Sequence, residues 1–194
     1  MSKSEPASKK ERNKHVKWVI TIFLVTIIVS GIFSFVSDEV MSGSGMVAAF
    51  LILFVIVLIG ILFDVIGVAV TSADESPFHS MAARKVPGSQ EAIRLLRKAE
   101  RVSSICNDVI GDICGVVSGA AAATISNQVI SNFDFTWPKI ISLVMSALVA
   151  GFTVGGKAFG KGFAVNSSTK IVYFVGRVIF SFGKIPDFFR KKDR

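Results

Sequence analysis

Histidine is nearly absent from this sequence, at two in 194 residues, which removes most histidine-based metal chemistry. His15 lies in a polar tail and His79 stands alone, so there is no histidine pair at ligand spacing. Cysteine is as scarce. Cys106 and Cys114 are the only two, eight apart within one apolar run; that is neither a zinc nor a redox spacing, and they read as small buried thiols. There is no Ser/His/Asp set and no phosphate-cradling glycine loop, so neither an enzyme nor a bound cofactor is expected. Acids are outnumbered, with 14 Asp and Glu against 22 Lys and Arg and a net charge of +8. Such an excess can serve nucleic acid, but the bases flank apolar runs and no DNA or RNA motif accompanies them. A nucleic-acid partner is therefore not expected. The first apolar run lacks an A-x-A-like cleavage site and is followed directly by Asp38 and Glu39, so it reads as an uncleaved anchor.

What the sequence has in abundance is apolar length. Hydrophobic residues make up 51% and the mean hydropathy is +0.60, which excludes an ordinary soluble domain. The expected fold is an all-α membrane protein with four transmembrane helices, a cytoplasmic juxtamembrane helical segment and a C-terminal interfacial amphipathic helix. Residues 1–17 form a basic cytoplasmic tail with little expected structure. Residues 18–45 hold an extra N-terminal transmembrane helix, Trp18 to Val36, and an outer loop. Residues 46–165 form a three-span core with juxtamembrane helices, and residues 166–194 an amphipathic interfacial helix and basic tail.

Within the core, the second span runs from Met46 to about Val70, uncharged until Asp64. Ser76-Pro77 opens a short helix, Phe78 to Lys85, that stops at Pro87-Gly88. Ser89 caps the next helix, with Glu91 in its first turn. There Ala92, Leu95, Leu96, Ala99 and Val102 share one face, ringed by Arg94, Arg97, Lys98 and Arg101. The third span lies within Arg101 to Ile130 and organises the chain. It carries Asp108 and Asp112 one helical turn apart, and Gly111, Gly115 and Gly119 recur every fourth residue, followed by Ala123. That small-residue ridge suits close helix packing, and Gly151 and Gly155 repeat the spacing in the fourth span, which opens at Trp137-Pro138.

Charge placement predicts orientation. Every Lys and Arg except Lys139 falls in the N-terminal tail, in residues 71–101 or after residue 156, whereas the opposite loops hold Asp38, Glu39 and Asp134. The positive-inside bias then places both termini in the cytoplasm, in an inner (plasma) membrane, with membrane lipids as neighbours. Asp64, Asp108 and Asp112 fall at one depth with Lys157. An aspartate at a helix centre costs about 2.5–3.5 kcal/mol on insertion scales, so these residues should find water, a cation, a shared proton or Lys157. Either they form a cation pathway, with Asn107, Ser103, Ser104 and Ser118 adding oxygens, or Asp64 and Lys157 form an ion pair that fixes helix register.

The arrangement resembles the transmembrane domain of the cyclin M / CorB–CorC magnesium and cobalt transporter family over roughly residues 46–185. The family's first core span ends in a phrase like F-S-x-S-E-T-A-L-T-S-L-N; Phe63 to Asp74 reads FDVIGVAVTSAD, keeping Phe63, Ala69, Thr71 and Ser72. An I-G-N phrase is matched by Ile110-Gly111-Asp112, with Asp112 at the Asn, or in another register by Asn107. The closing G-E-x-x-P-K-x-x-A is matched by Gly156 to Ala164, GKAFGKGFA, keeping Gly156, Lys161 and Ala164. The first motif's leading Ser becomes Asp64 and its Glu Gly67; the closing Glu becomes Lys157 and its Pro Gly160. The resemblance implies a homodimer, a divalent cation (Mg²⁺ or Co²⁺) as the transported species, and a metal set of Asp64, Asp112, Asn107 and Asp108 in a cytoplasm-facing cavity containing Lys157. The family's nucleotide-sensing domains are not expected. The alternative is a non-transporting relative, a structural or regulatory membrane subunit in which Lys157 replaces the cation.

Overall fold

The computed structural model describes residues 5–132 and 137–190, with side chains from 16 to 132 except Ser42, and from 137 to 182. Among the described residues the regular structure is all helical, without a strand. Helix α1 is Glu5–Ser42, α2 Met46–Ser72, α3 Ser76–Ala83, α4 Ser89–Leu96 and α5 Ala99–Ser104. A π-helical turn, Ile105–Gly111, continues without a break into α6, Asp112–Asn132; α7 is Pro138–Asn166 and α8 Ser168–Arg190. Four helical stretches are long and apolar enough to cross a bilayer: Val16–Met41, Met46–Ser72, Ala99–Asn132 and Pro138–Asn166.

The helix over residues 99–132, with the π-turn inside it, is the hub. Half of its apolar window is buried, against none for α1 or α7. It touches α1, α2 and α7, and α2 touches α7 in turn. Its inward stripe is Cys106, Gly111, Ile113, Val117, Ser118, Ala121, Ala122 and Ile125, the three-and-four spacing of a packed helix face. One core lies at the end of the bundle near Met41, Ala49, Leu53, Ala121 and Ile125, called here the narrow end. The other, at the broad end, gathers Ala69, Val70, Phe78, Ala92, Ile93, Ala164 and Val172 from α2, α3, α4, α7 and α8. Phe78 is fully buried there, so the short helices α3 and α4 are held by packing rather than by their own length.

The connections around that core follow from local chemistry. After α2, Asp74 Oδ1 accepts the Ser76 backbone N–H at 3.1 Å, and Pro77 occupies the first turn of α3. Between α3 and α4 the chain turns through left-handed backbone at Lys85 (φ 56°) and Gly88 (φ 87°). Gly88 also carries the crossing with α8: a Cβ there would stand 2.6 Å from the Arg177 Cα.

Two expectations need correction, and the glycine spacing finds few partners within the chain. The basic tail is not irregular, since α1 begins at Glu5; Lys, Arg, Glu and Ala are good helix formers, and extending an existing helix needs no new nucleus. Asp38 and Glu39 lie in the last turns of α1 rather than in a loop. There Asp38 Oδ1 accepts the Thr124 hydroxyl at 2.8 Å, and Gln128 donates to the Met41 carbonyl at 3.0 Å, tying α1 to α6. Finally, Gly115, Gly119, Gly151 and Gly155 meet nothing within 4 Å among the described residues. The close approaches inside this chain are elsewhere: a Cβ on Gly60 would meet Cys114 Cβ at 2.9 Å, and one on Gly160 would meet Val65 at 2.7 Å. Of the first ridge only Gly111 is buried, against Lys157 and the Cys106 carbonyl, and Gly151 and Gly155 border an apolar cavity rather than a helix contact.

These contacts separate two glycine substitutions. Gly88→Ala combines a left-handed φ with a backbone clash and is expected to destabilise by at least about 2 kcal/mol. Gly119→Ala gains helix propensity in open space and is expected to shift stability by less than about 1 kcal/mol, upward. Thermal unfolding of the purified variants in detergent tests both; equal midpoints would contradict the α4–α8 crossing.

Candidate functional site

Asp64 is 4% exposed, on the part of α2 that lies between the hub helix and α7. Its Oδ2 is buried without a hydrogen-bond partner among the described residues. The nearest cation is Lys161 of α7, whose Nζ stands 4.0 Å from that oxygen, an ion pair but too long for a hydrogen bond. A buried acceptor without a donor costs about 1–3 kcal/mol, more when charged.

A second orphaned oxygen lies one turn further along α2. Asn107 presses its side-chain amide onto Gly67, where a Cβ would overlap Asn107 Oδ1. Asn107 donates to Ser103 Oγ at 3.2 Å, but its Oδ1 is buried and has no partner among the described residues. Glycine at 67 is what lets the amide in. Asp64 and Gly67, three residues apart, share one helix face, so the two orphaned oxygens belong to one strip of α2.

The π-turn arranges the facing side. A turn widened to i→i+5 bonding shifts the residues after it relative to a regular helix, and such turns gather at functional sites. Here it holds Asn107 against α2 and ends at Gly111, whose carbonyl accepts a hydrogen bond from Lys157 Nζ at 3.2 Å. A Cβ on Gly111 would stand 3.5 Å from that nitrogen, an ordinary contact, and 3.3 Å from the Cys106 carbonyl oxygen. Counted from Met46, Asn132 and Pro138 at the narrow end, Asp64, Asp112 and Lys157 each lie roughly 27–30 Å along their helices, at about 1.5 Å per residue. All three are therefore level along the bundle.

Level is not the same as convergent. Asp108 and Asp112 are both exposed, and Asp108 Oδ2 accepts the Ser104 hydroxyl at 2.8 Å. The structure places neither beside Asp64. Residues one turn apart share a face, and that face of the hub points outward while Cys106, Gly111 and Ile113 point inward. Of the two registers weighed for the I-G-N phrase, Asn107 is the one that meets α2. Lys157 reaches a carbonyl rather than Asp64; Lys161, one turn on, reaches the acid. Among the described residues no group of three or more His, Cys, Asp and Glu gathers to hold a metal, so a cation here would rely on one carboxylate and neutral oxygens. His79 is exposed, with Nε2 3.4 Å from Glu75. Cys106 and Cys114 are free thiols.

Sequence reasoning missed two features. Lys161 stood within a quoted motif, and its four-residue spacing from Lys157 was the available signal that both share a face of α7. The π-turn has no propensity signature, and nothing in the sequence marked it. A separate cavity of about 860 Å³ opens between α2 and α7, lined by residues such as Phe50, Phe54, Leu58, Leu148 and Phe152. It is apolar and offers a cation nothing. No protein-family model matches this chain, and no curated protein matches its sequence.

The contact between Asn107 and Gly67 is testable as a cycle. Gly67→Ala is expected to destabilise by about 1–3 kcal/mol by driving the amide out. Adding Asn107→Ala opens the space and is expected to restore most of that loss, giving a coupling energy above about 0.5 kcal/mol. Unfolding midpoints of the four proteins measure it; additive effects would place the amide elsewhere.

Proposed function

We propose that this chain is an integral protein of the cell inner membrane that handles a cation at Asp64, similar in kind to the magnesium and cobalt transporters of the cyclin M / CorB–CorC family. The observation that carries the reading is the buried Asp64 Oδ2, without a hydrogen-bond donor among the described residues, within a helix long and apolar enough to cross a membrane. A residue of this kind within a membrane span is a functional hypothesis by default. Neutral oxygens of the facing helix, Asn107 Oδ1 against Gly67 and the Gly111 carbonyl opposite Gly60, are of the hard class that Mg²⁺ accepts, and Mg²⁺ keeps several waters, so few protein ligands suffice. In this reading the broad end faces the cytoplasm, both termini lie on that side, and α3, α4 and α8 lie along the headgroups. The outward glycines of α6 and α7 are available to a second copy in a homodimer.

A second reading has its own observation. Lys157 donates to the Gly111 carbonyl, so its ammonium sits on an oxygen that a metal would use. In that reading the chain is a non-transporting relative, a structural or regulatory membrane subunit with Lys157 in place of the cation. Growth of a magnesium-transport-deficient bacterial strain at limiting Mg²⁺ separates the two. The expected result is rescue by the wild-type chain and none by Asp64→Asn, at equal membrane expression. Rescue by Lys157→Glu alone would establish the second reading.

A further inference from the structure

Resting on the reading of Asp64 as a cation site, we infer that Lys161 is a tethered counter-ion that closes this site, so that its ammonium and a cation occupy Asp64 in alternation. The two partners of the ion pair are held very differently. Asp64 is fixed: its side chain is 5% exposed, and the α2 backbone around it is pinned where Gly60 meets Cys114, Gly67 meets Asn107 and Gly160 of α7 meets Val65. Lys161 is not: its side chain is 55% exposed, and it hangs from α7 on a flexible four-carbon stem that keeps its ammonium hydrated when it swings away.

The spacing says the same. At 4.0 Å the ammonium neutralises the carboxylate without donating to it, which is why Oδ2 remains an orphan. Charge attraction that lacks a hydrogen bond is easily exchanged for another cation, whereas an ammonium held by a directed bond is not. Lys157 illustrates the second case, being part-buried and bonded to the Gly111 carbonyl at 3.2 Å. The two lysines, one turn apart on α7, therefore do different work: Lys157 is a fixed strut, and Lys161 is the movable charge. While it sits beside Asp64, a second cation there meets repulsion at short range. When it leaves, the carboxylate is open. A ligand that must displace a resident group binds with an apparent affinity reduced by the fraction of time the site is free.

The full-length protein in detergent, titrated with Mn²⁺ as a spectroscopically visible hard divalent ion, tests the closure. Free Mn²⁺ is counted by electron paramagnetic resonance for the wild type, Lys161→Met, Lys161→Gln, Lys161→Arg and Asp64→Asn. Lys161→Met and Lys161→Gln are expected to bind about tenfold more tightly than wild type. Lys161→Arg, which keeps the charge, is expected to stay near wild type, and Asp64→Asn to bind weakly or not at all. Wild-type binding that depends on Asp64 but is unchanged or weakened in both neutral variants would overturn the closure while leaving the cation site standing. Absence of binding in every variant, including the two without the lysine charge, would overturn both. Two neutral replacements guard against one that disturbs α7, and matched unfolding midpoints confirm that each protein is folded.

Discussion

A carboxylate kept from water in a helix junction must be answered by something, and the way Asp64 is answered sets the character of the broad end. Desolvating an ionised carboxylate costs several kcal/mol even after the surroundings relax. Asp64 receives one ammonium at 4.0 Å and no donor to its Oδ2, an incomplete settlement. Nothing in the packing of α2 demands an acid at that position. An apolar side chain of similar size would fill it without the desolvation loss, which is why the residue is read as serving binding rather than folding.

The neighbouring structure closes around that junction. Glycines stand where the helices come closest, at 60, 67, 156 and 160, and the side chains of Cys114, Asn107, Ile61 and Val65 fill the space each leaves, so the helices shut on Asp64. The π-turn works in the same direction, delivering Asn107 to α2 and the Gly111 carbonyl to Lys157. The core of α2, α3, α4, α7 and α8 then holds these helix ends together beyond the span, with Phe78 buried at its centre. The pair is therefore asymmetric, a buried acid on one side and an exposed base on the other.

The spans themselves were legible because long apolar runs declare themselves by length alone. The helix starts at Pro77 and Pro138 and the stop at Pro87-Gly88 were legible too, being chemistry confined to neighbours in sequence; the left-handed backbone at Lys85 and Gly88 was not. The site was legible in part. Asp64 drew notice as the one charge in α2, and Asn107 was one of two registers offered. Which face of the hub turns inward was not legible, because Gly111 and Asp112 are adjacent and both faces of that helix carry small residues. Only the packing of Cys106, Ile113 and Val117 decides it. Nor was the partner of Asp64, since Lys157 and Lys161 differ by a single turn and their reach depends on the crossing of α7 with α2.

Depth and burial together explain why three aspartates at one level have different consequences. Asp108 and Asp112 face outward about where a hydrocarbon core of 30 Å would end when measured from the narrow end, so headgroups and water can solvate them and no partner is required of the protein. Asp64 lies at the same level but is enclosed by α2's own neighbours, which exclude the solvent that its depth would otherwise provide. A position near the interface normally relieves a charge. Here the fold withdraws that relief from one acid and leaves it to the other two, and the withdrawn one faces the exposed side chain of Lys161 at 4.0 Å. The distinction between a solvated acid and an enclosed one is therefore made in this protein by helix packing, at positions that distance along the helices alone would not separate.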